Sequence, residues 1–279
     1  MRALDSAVSL SREIDVPLRV YWMKVHNLNC SFSDLFDPTP EYEVVEKTAP
    51  FVCDAASKEY LFDPRTYRIL SKREWHILNN FNVKELIGQQ FDFRLLKHHR
   101  QILMATNTRF YPSNRMNSIF VPLAFLRQRI DRECERFQPN TTGIHIRRTD
   151  HRWAINNSPT ELFIRAIENE IKWRPDVSFY LASDCIETKR LLHGRYGDRI
   201  ITSFHASDRT TKEGIRQALV ELYALSRTQK IYGSYCSTFS ETAANIGGIH
   251  EITVSNIIHS AVHISIAENL PTKALQMPL

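Results

Sequence analysis

The sequence contains no paired cysteines and no long apolar run. Its five cysteines are scattered singly along the chain, at Cys30, Cys53, Cys134, Cys185 and Cys236. Such a set argues against a zinc site or a disulfide framework and predicts free thiols in a reducing, cytoplasmic compartment. No apolar run reaches the roughly 18 residues of a transmembrane helix, and the start shows no signal-peptide pattern. The sequence therefore predicts no membrane-spanning segment.

Several common catalytic motifs are also missing. The chain has no GxSxG, HExxH or GxxxxGK[ST] motif, which argues against a serine-hydrolase elbow, a zinc-protease helix and a P-loop. It also lacks an Asp-x-Asp pair that could hold a metal–nucleotide complex, so we expect neither a metal nor a cofactor. The net charge of +5 is mild and agrees with an anionic substrate. No basic run interleaved with aromatics indicates a nucleic-acid partner.

The second half of the chain alternates short strands with helices, a pattern typical of a parallel, doubly wound sheet from about 141 to 260. We expect strands at 177–182, 199–202, 230–232 and 251–254. The helices should open at polar capping positions. These are Ser158 to Glu161, Asp184 with Glu187, and Thr238 with Glu241.

The first half is harder to assign. With 279 residues the chain can form one large or two modest domains, and the polar cluster at 138–142 is the expected boundary. Periodicity predicts helices at 3–14 and 120–137, the second with Pro122 in its first turn. Short strands are expected at 18–22, 41–45, 58–62 and 102–106, whereas 71–100 has no clear pattern and 255–279 looks like a partly helical tail.

The most informative stretch is a short apolar strand, Gly143 to Ile146, that runs directly into charge. Five polar residues follow this strand: Arg147, Arg148, Thr149, Asp150 and His151. Ligands of open α/β sheets bind beyond the carboxyl ends of the strands, and a guanidinium group suits phosphate because it is planar and always ionised. The alternative is a surface loop whose arginines pair with nearby carboxylates. His151 is a candidate general base by residue type, although a surface histidine is commoner.

A second loop, Gly233 to Ser240, follows a predicted strand and opens a helix. Helix N-termini bind anions readily, and Ser237, Thr238 and Ser240 add hydroxyl groups there. The alternative is that Thr238 only caps its helix. Two further candidate site residues are His145 and Asp184. The structural alternative is that His145 is a core histidine and Asp184 a helix cap.

Three motifs in order resemble the fucosyltransferase superfamily, which includes α-1,6-fucosyltransferases, rhizobial nodulation fucosyltransferases and protein O-fucosyltransferases. They are His145 to Asp150, Phe179 to Asp184 and Ser237 to Glu241. The resemblance covers roughly 141–254 and implies an α/β GT-B fold with two Rossmann-like domains, here 1–138 on the acceptor side and 139–279 for the donor nucleotide. It also implies that Arg147 contacts the donor β-phosphate, that Asp150 orients the arginine loop, and that His145 and the loop Ser237, Thr238, Phe239 and Ser240 line the nucleotide site.

The chain departs from the family pattern at two places. Family members begin with a strand and a glycine loop, whereas this chain starts at Met1 with the helix expected after them, so the N-terminal domain is expected to lack that first strand. The α-1,6 members place a carboxylate base beyond the motif aspartate, where this chain has Arg152 to Ile155. Acceptor activation is therefore not carried over.

The resulting expectation is a metal-independent, inverting glycosyltransferase that transfers fucose from GDP-fucose to an acceptor hydroxyl of a carbohydrate or glycoconjugate. The expected catalytic residues are Arg147, Arg148, Asp150 and His151, and the expected donor-binding residues are His145, Arg147, Asp184, Ser237, Thr238, Phe239 and Ser240. Two alternatives remain open: an inactive module that binds a nucleotide sugar, and a non-enzymatic domain that docks an acidic partner through its arginines.

Overall fold

A computed structural model describes residues 1–26, 28–46, 51–54, 59–62, 75–113, 116–205 and 207–257, with the backbone alone for 51–54 and 59–62. The chain divides into two compact units. The first unit comprises Met1–Glu135 and Ser203–Ala224, and the second comprises Arg136–Thr202 and Leu225–Leu279. The predicted domains 1–138 and 139–279 stay a prediction, because the units assign the segment 203–224 differently. No helix among the described residues is long and apolar enough to cross a membrane.

The N-terminal elements alternate helices with short strands. In chain order they are α1 Arg2–Ile14, β1 Arg19–Tyr21, β2 Glu43–Val45, β3 Phe51–Asp54, β4 Glu59–Phe62, β5 Trp75–Leu78, α2 Asn80–Gly88, β6 Gln101–Met104, α3 Met116–Ile119 and α4 Ala124–Cys134. β1 pairs with β2 and β5 with β6 in parallel, whereas β3 and β4 are antiparallel. The stretch 71–100, which showed no clear sequence pattern, contains β5 and α2. Whether a first strand is missing stays a prediction.

The remaining elements build the second unit and the helix that leads into it. They are β7 Thr142–Ile146, α5 Arg152–Asn157, α6 Thr160–Trp173, β8 Phe179–Ser183, α7 Ile186–Tyr196, β9 Ile200–Ile201, α8 Lys212–Leu225, β10 Lys230–Ser234, α9 Thr238–Gly247 and β11 His250–Val254. Five of these strands form one parallel sheet in the order β11-β10-β7-β8-β9. The prediction of a parallel, doubly wound sheet is confirmed. The expected tail lies largely outside the described residues, at 258–279.

The strand order places a switch point between β7 and β10. The chain runs outward from β7 through β8 to β9, then returns to β10 on the other side of β7. Such switch points open a crevice at the carboxyl ends of the strands, where ligands bind. The loops after β7 and β10 flank this crevice, and they contain the two motifs that the sequence singled out.

The two faces of β7 pack on different helices. Ile144 and Ile146 are fully buried in a core cluster with Phe163 and Ile167 of α6. On the opposite face, His145 stacks on Phe239 of α9. Alternation along a strand requires this division, since successive side chains point to opposite faces.

Four predicted helix starts are wrong. α6 has Pro159 as its N-cap, α7 has Cys185, and α9 has Ser237, and none of these three residues makes a side-chain cap hydrogen bond. The predicted caps Ser158, Asp184 and Thr238 therefore do not cap these helices. In the first unit, α4 begins at Ala124, and Pro122 instead forms an isolated bridge with Phe36.

Candidate functional site

Arg147 is the first residue after β7, and both its backbone N–H and its guanidinium are hydrogen-bonded. Its backbone N–H donates to Ser234 Oγ at 3.0 Å, and Ser234 Oγ donates to the carbonyl of His145 at 3.3 Å. Its guanidinium donates to Asp150 Oδ1 from Nε at 2.9 Å and from Nη2 at 2.6 Å. The side chain is 21% exposed. A loop carboxylate thus orients an arginine that still reaches solvent at the edge of the sheet.

The Arg148 guanidinium donates hydrogen bonds to other groups of the chain. Its Nη2 donates to the carbonyl of Ser158 at 2.7 Å and to Thr160 Oγ1 at 3.0 Å, and its Nη1 donates to the carbonyl of Arg147 at 2.9 Å. Nε also donates to Thr160 Oγ1, at 3.2 Å. Burial lowers the pKa of Arg148, with nearby carboxylates acting against that shift. The two neighbouring arginines therefore have different surroundings. The Arg147 side chain is partly exposed at the edge of the sheet, whereas the Arg148 side chain binds the start of α6.

Asp184 accepts hydrogen bonds from the arginine loop, Arg147 to Asp150, and does not cap a helix. Its Oδ1 accepts from the backbone N–H of Arg148 at 2.7 Å. Its Oδ2 accepts from the Thr149 hydroxyl at 2.7 Å and from the Thr149 N–H at 3.3 Å. The carboxylate at the end of β8 thus fixes the backbone that follows β7. Direct contact of Asp184 with a ligand stays a prediction.

His145 is a buried, neutral histidine beside the second loop. It is 5% exposed, its Nδ1 lies 3.3 Å from Ser237 Oγ, and its ring stacks on Phe239 with the centroids 4.7 Å apart. Burial lowers its pKa to about 3, partly opposed by the charge of Asp184. At neutral pH it therefore contributes a hydrogen-bonding, apolar wall to the site and no positive charge.

His151 is the N-cap of the short helix α5. Its Nδ1 accepts from the backbone N–H of Ala154 at 3.0 Å. Because Nδ1 is used as an acceptor, a neutral ring carries its proton on Nε2. A role in proton transfer stays a prediction.

The tip of α9 completes the edge of the sheet. Ser237 is its N-cap without a side-chain cap hydrogen bond, Thr238 is exposed in its first turn, and Ser240 is fully buried and donates to the carbonyl of Ser237 at 3.3 Å. The first-turn N–H groups thus lack the side chain that usually accepts from them. Gly233 lies beneath this turn, and an added Cβ there would clash with Ser240 Oγ.

Ser234, Ser158 and Thr160 are positioning residues. The sequence pattern placed Ser158 and Thr160 in a helix cap and did not single out Ser234 for any role. Ser158 accepts from the N–H of Tyr235 at 2.7 Å and donates to the carbonyl of Val254 at 2.5 Å. The one available signal was a hydroxyl residue at the end of a strand or the start of a helix, which also fits a cap. Within the described part of the chain, no three His, Cys, Asp or Glu side chains are grouped to hold a metal ion.

No protein-family model and no curated protein sequence matches the chain. Solved structures do match. NodZ α-1,6-fucosyltransferase soaked with GDP-fucose has a TM-score of 0.57 at 16% identity, covering 88% of this chain and 87% of that one. A NodZ structure from Bradyrhizobium has a TM-score of 0.56 at 16% identity, covering 86% of both chains.

Two further solved structures are similar as well. A mutant of Arabidopsis thaliana FUT1 in complex with GDP has a TM-score of 0.55 at 16% identity, over 90% of this chain and 66% of that one. POFUT1 in complex with GDP-fucose has a TM-score of 0.52 at 11% identity, over 90% of this chain and 93% of that one. Likeness at such identities establishes the fold alone, and the chain therefore has the GT-B-like α/β fold of these solved structures.

Proposed function

We propose that this chain is a glycosyltransferase that transfers fucose from GDP-fucose to an acceptor hydroxyl by metal-independent, inverting displacement. The observation that carries the proposal is that an oriented arginine and a helix N-terminus lie on adjacent loops at the switch point of the sheet. The loop of Arg147 is hydrogen-bonded to the end of β10, and β10 leads directly to the tip of α9. Structures of the same fold hold GDP-fucose or GDP.

Arg147 is proposed to bind the donor β-phosphate. In the displacement, the acceptor oxygen forms a bond to the anomeric carbon while the bond from that carbon to the β-phosphate oxygen breaks. Negative charge grows on the departing GDP, and a preorganised guanidinium stabilises it without reorganisation. Asp150 orients the guanidinium through two donor contacts on one oxygen. The N–H groups at the tip of α9 add a second positive field.

The other site residues are proposed to shape the nucleotide pocket and the loop. His145, Ser237, Thr238, Phe239 and Ser240 form its wall around α9. Arg148 and Asp184 act on the ligand through the loop, because their side chains bind its backbone and the start of α6. His151 is the proposed base for the acceptor proton, which it would take at Nδ1 in exchange for the hydrogen bond from the Ala154 N–H, because Nε2 already carries a proton in the neutral ring. The acceptor domain is proposed to be 1–138 and the donor domain 139–279.

The proposal is tested by ligand-dependent thermal shifts and by turnover of the donor. GDP and GDP-fucose should raise the unfolding midpoint more than UDP or ADP, and GDP-fucose should be consumed by transfer or slow hydrolysis. Arg147→Ala should weaken GDP binding and lower turnover by about 10²–10³-fold, the usual loss of one oxyanion-type donor. Arg152→Ala removes an exposed arginine five residues further on and serves as the charge-matched control.

Each alternative has its own outcome. GDP binding without consumption of GDP-fucose would identify an inactive binding module. Equal, small shifts with all nucleotides would favour a domain that docks an acidic partner. Equal activity of Arg147→Ala and Arg152→Ala would refute the assigned mechanism.

A further inference from the structure

A carboxylate lies beneath the tip of α9, on the face of the sheet that this helix covers. Glu251 belongs to the edge strand β11 and is aligned with Ile231 of β10. Its partly buried side chain is hydrogen-bonded to Ser240, and both reach over Gly233. A carboxylate is costly to bury without a cation, and the partner of Glu251 in this hydrogen bond is a neutral hydroxyl group.

The contact continues inward as a relay of polar side chains. Ser240 donates to the carbonyl of Ser237 at 3.3 Å, and Ser237 Oγ lies 3.3 Å from His145 Nδ1. The relay thus joins the edge strand β11 to the central strand β7 and passes through the first turn of α9. A side chain at Gly233 would fill its path, since an added Cβ would clash with the Glu251 carboxylate and the Ser240 hydroxyl.

The Ser240 hydroxyl has one proton for two neighbours. When Glu251 is protonated, it donates to Ser240, and Ser240 donates to the carbonyl of Ser237. When Glu251 is ionised, it competes for the Ser240 proton, and the Ser237 carbonyl loses its donor. Burial raises the pKa of Glu251 to about 7, the Ser240 contact opposes this, and the charge of Glu241 adds to it. Across Gly233, the titratable groups on the same face of β7 and its end are His145 and Arg147.

We propose that Glu251 is a positioning residue for the donor diphosphate, which in its protonated form holds the tip of α9 through Ser240 and Ser237. This inference rests on the function proposed above. A diphosphate at the helix tip brings negative charge close to Glu251 and so favours the protonated carboxyl. Binding of GDP is therefore linked to proton uptake by Glu251.

The test is the pH dependence of GDP affinity in Glu251→Gln. A glutamine amide donates to Ser240 at every pH and mimics the protonated form. Calorimetry with GDP at pH 6 and pH 8 gives the ratio of the wild-type Kd to the variant Kd, and titration of GDP itself cancels in this ratio. The ratio should be close to one at pH 6 and about fivefold at pH 8, the lower end of typical site-to-site coupling. Glu241→Gln removes a charge from the same turn and is the control. The ratio of its Kd to that of Glu251→Gln should keep the pH dependence found for the wild type.

Thermal unfolding without ligand is the second measurement. The folded-state pKa of Glu251 lies above its ordinary value of 4.5, so its stabilising contribution is complete below about pH 4.5 and is lost as the pH rises towards 7. The unfolding midpoint of Glu251→Gln should therefore rise relative to wild type between pH 5 and pH 8. If Glu251→Gln does not fold, Ser240→Ala breaks the same relay and should flatten the pH dependence of GDP affinity.

The outcomes separate the two proposals. Wild-type GDP binding with a pH-independent Kd ratio refutes the role of Glu251 and leaves the proposed function standing. Failure of the wild type to bind GDP at any pH refutes the proposed function and the diphosphate-positioning role together.

Discussion

Replacing Arg148 by alanine should destabilise the protein, whereas replacing Arg147 should not. The Arg148 side chain is partly buried, and its guanidinium serves the carbonyls of Arg147 and Ser158 and the hydroxyl of Thr160. Ser158 is fully buried, so water cannot easily replace the donor to its carbonyl. Hydrogen bonds from a charged group contribute about 1.5–3 kcal/mol each, and an unsatisfied buried acceptor costs about 1–3 kcal/mol.

Partial relaxation makes these contributions less than additive, so we expect Arg148→Ala to cost about 2–4 kcal/mol in the free energy of unfolding. For a chain of this size, the unfolding midpoint should fall by roughly 4–16 °C. Arg147 pairs with a carboxylate that is 47% exposed, and such ion pairs contribute only about 0–1 kcal/mol. Arg147→Ala should therefore unfold within a few degrees of wild type.

Differential scanning fluorimetry and GDP titration of both variants test this reasoning. Arg148→Lys is the matched control, because lysine keeps the charge but cannot bridge three acceptors, and it should recover only part of the stability. If Arg148→Ala unfolds like wild type while losing GDP affinity as completely as Arg147→Ala, Arg148 contacts the ligand directly and the structural role assigned to it is wrong.

Two further predictions follow from carboxylates of the second unit. Asp184→Asn keeps one acceptor oxygen but loses the other, so it should cost about 1–2 kcal/mol of stability and weaken GDP binding several-fold, as measured by denaturant unfolding and calorimetry; unchanged GDP affinity would contradict its role in fixing the loop. Glu170 is buried, which alone would raise its pKa, but hydrogen bonds from Lys230, Tyr232 and Arg174 lower it to about 2. Its stabilising contribution is therefore present above its ordinary pKa of 4.5 and lost as the pH falls towards 2, so Glu170→Gln should destabilise by about 2–3 kcal/mol at pH 7 and less at pH 3; a difference that does not shrink on acidification would refute this.

The second half of the fold was predictable largely because its central strands are buried on both faces. β7 and β8 are buried at every position, which makes their apolar runs visible in the sequence. The predicted strands at 177–182 and 251–254 correspond to Phe179–Ser183 and His250–Val254. Short parallel pairs in the first unit gave a weaker signal. The strand β5, for example, is only four residues long and buries one of them fully.

Helix starts were mispredicted for a common physical reason. Ser158 and Asp184 stand where a strand or loop meets a helix, and residues of these types favour N-caps. In this fold their oxygens serve the loops at the carboxyl edge of the sheet instead: Ser158 binds the backbone at Tyr235 and Val254, and Asp184 binds the arginine loop. These partners are distant in the sequence, so local spacing could not distinguish a cap from a loop anchor.

The different surroundings of the two arginines follow from strand alternation, an argument that the sequence already contained. Ile144, Ile146 and Arg148 belong to one face of β7 and its extension, and this face packs against α6, where Arg148 binds Thr160. His145 and Arg147 belong to the other face, which meets α9 and the end of β10. Two adjacent arginines at the end of a central strand cannot both face one crevice while the strand geometry continues. One of them must turn to the helix behind the sheet, and its charge then holds the loop that presents the other.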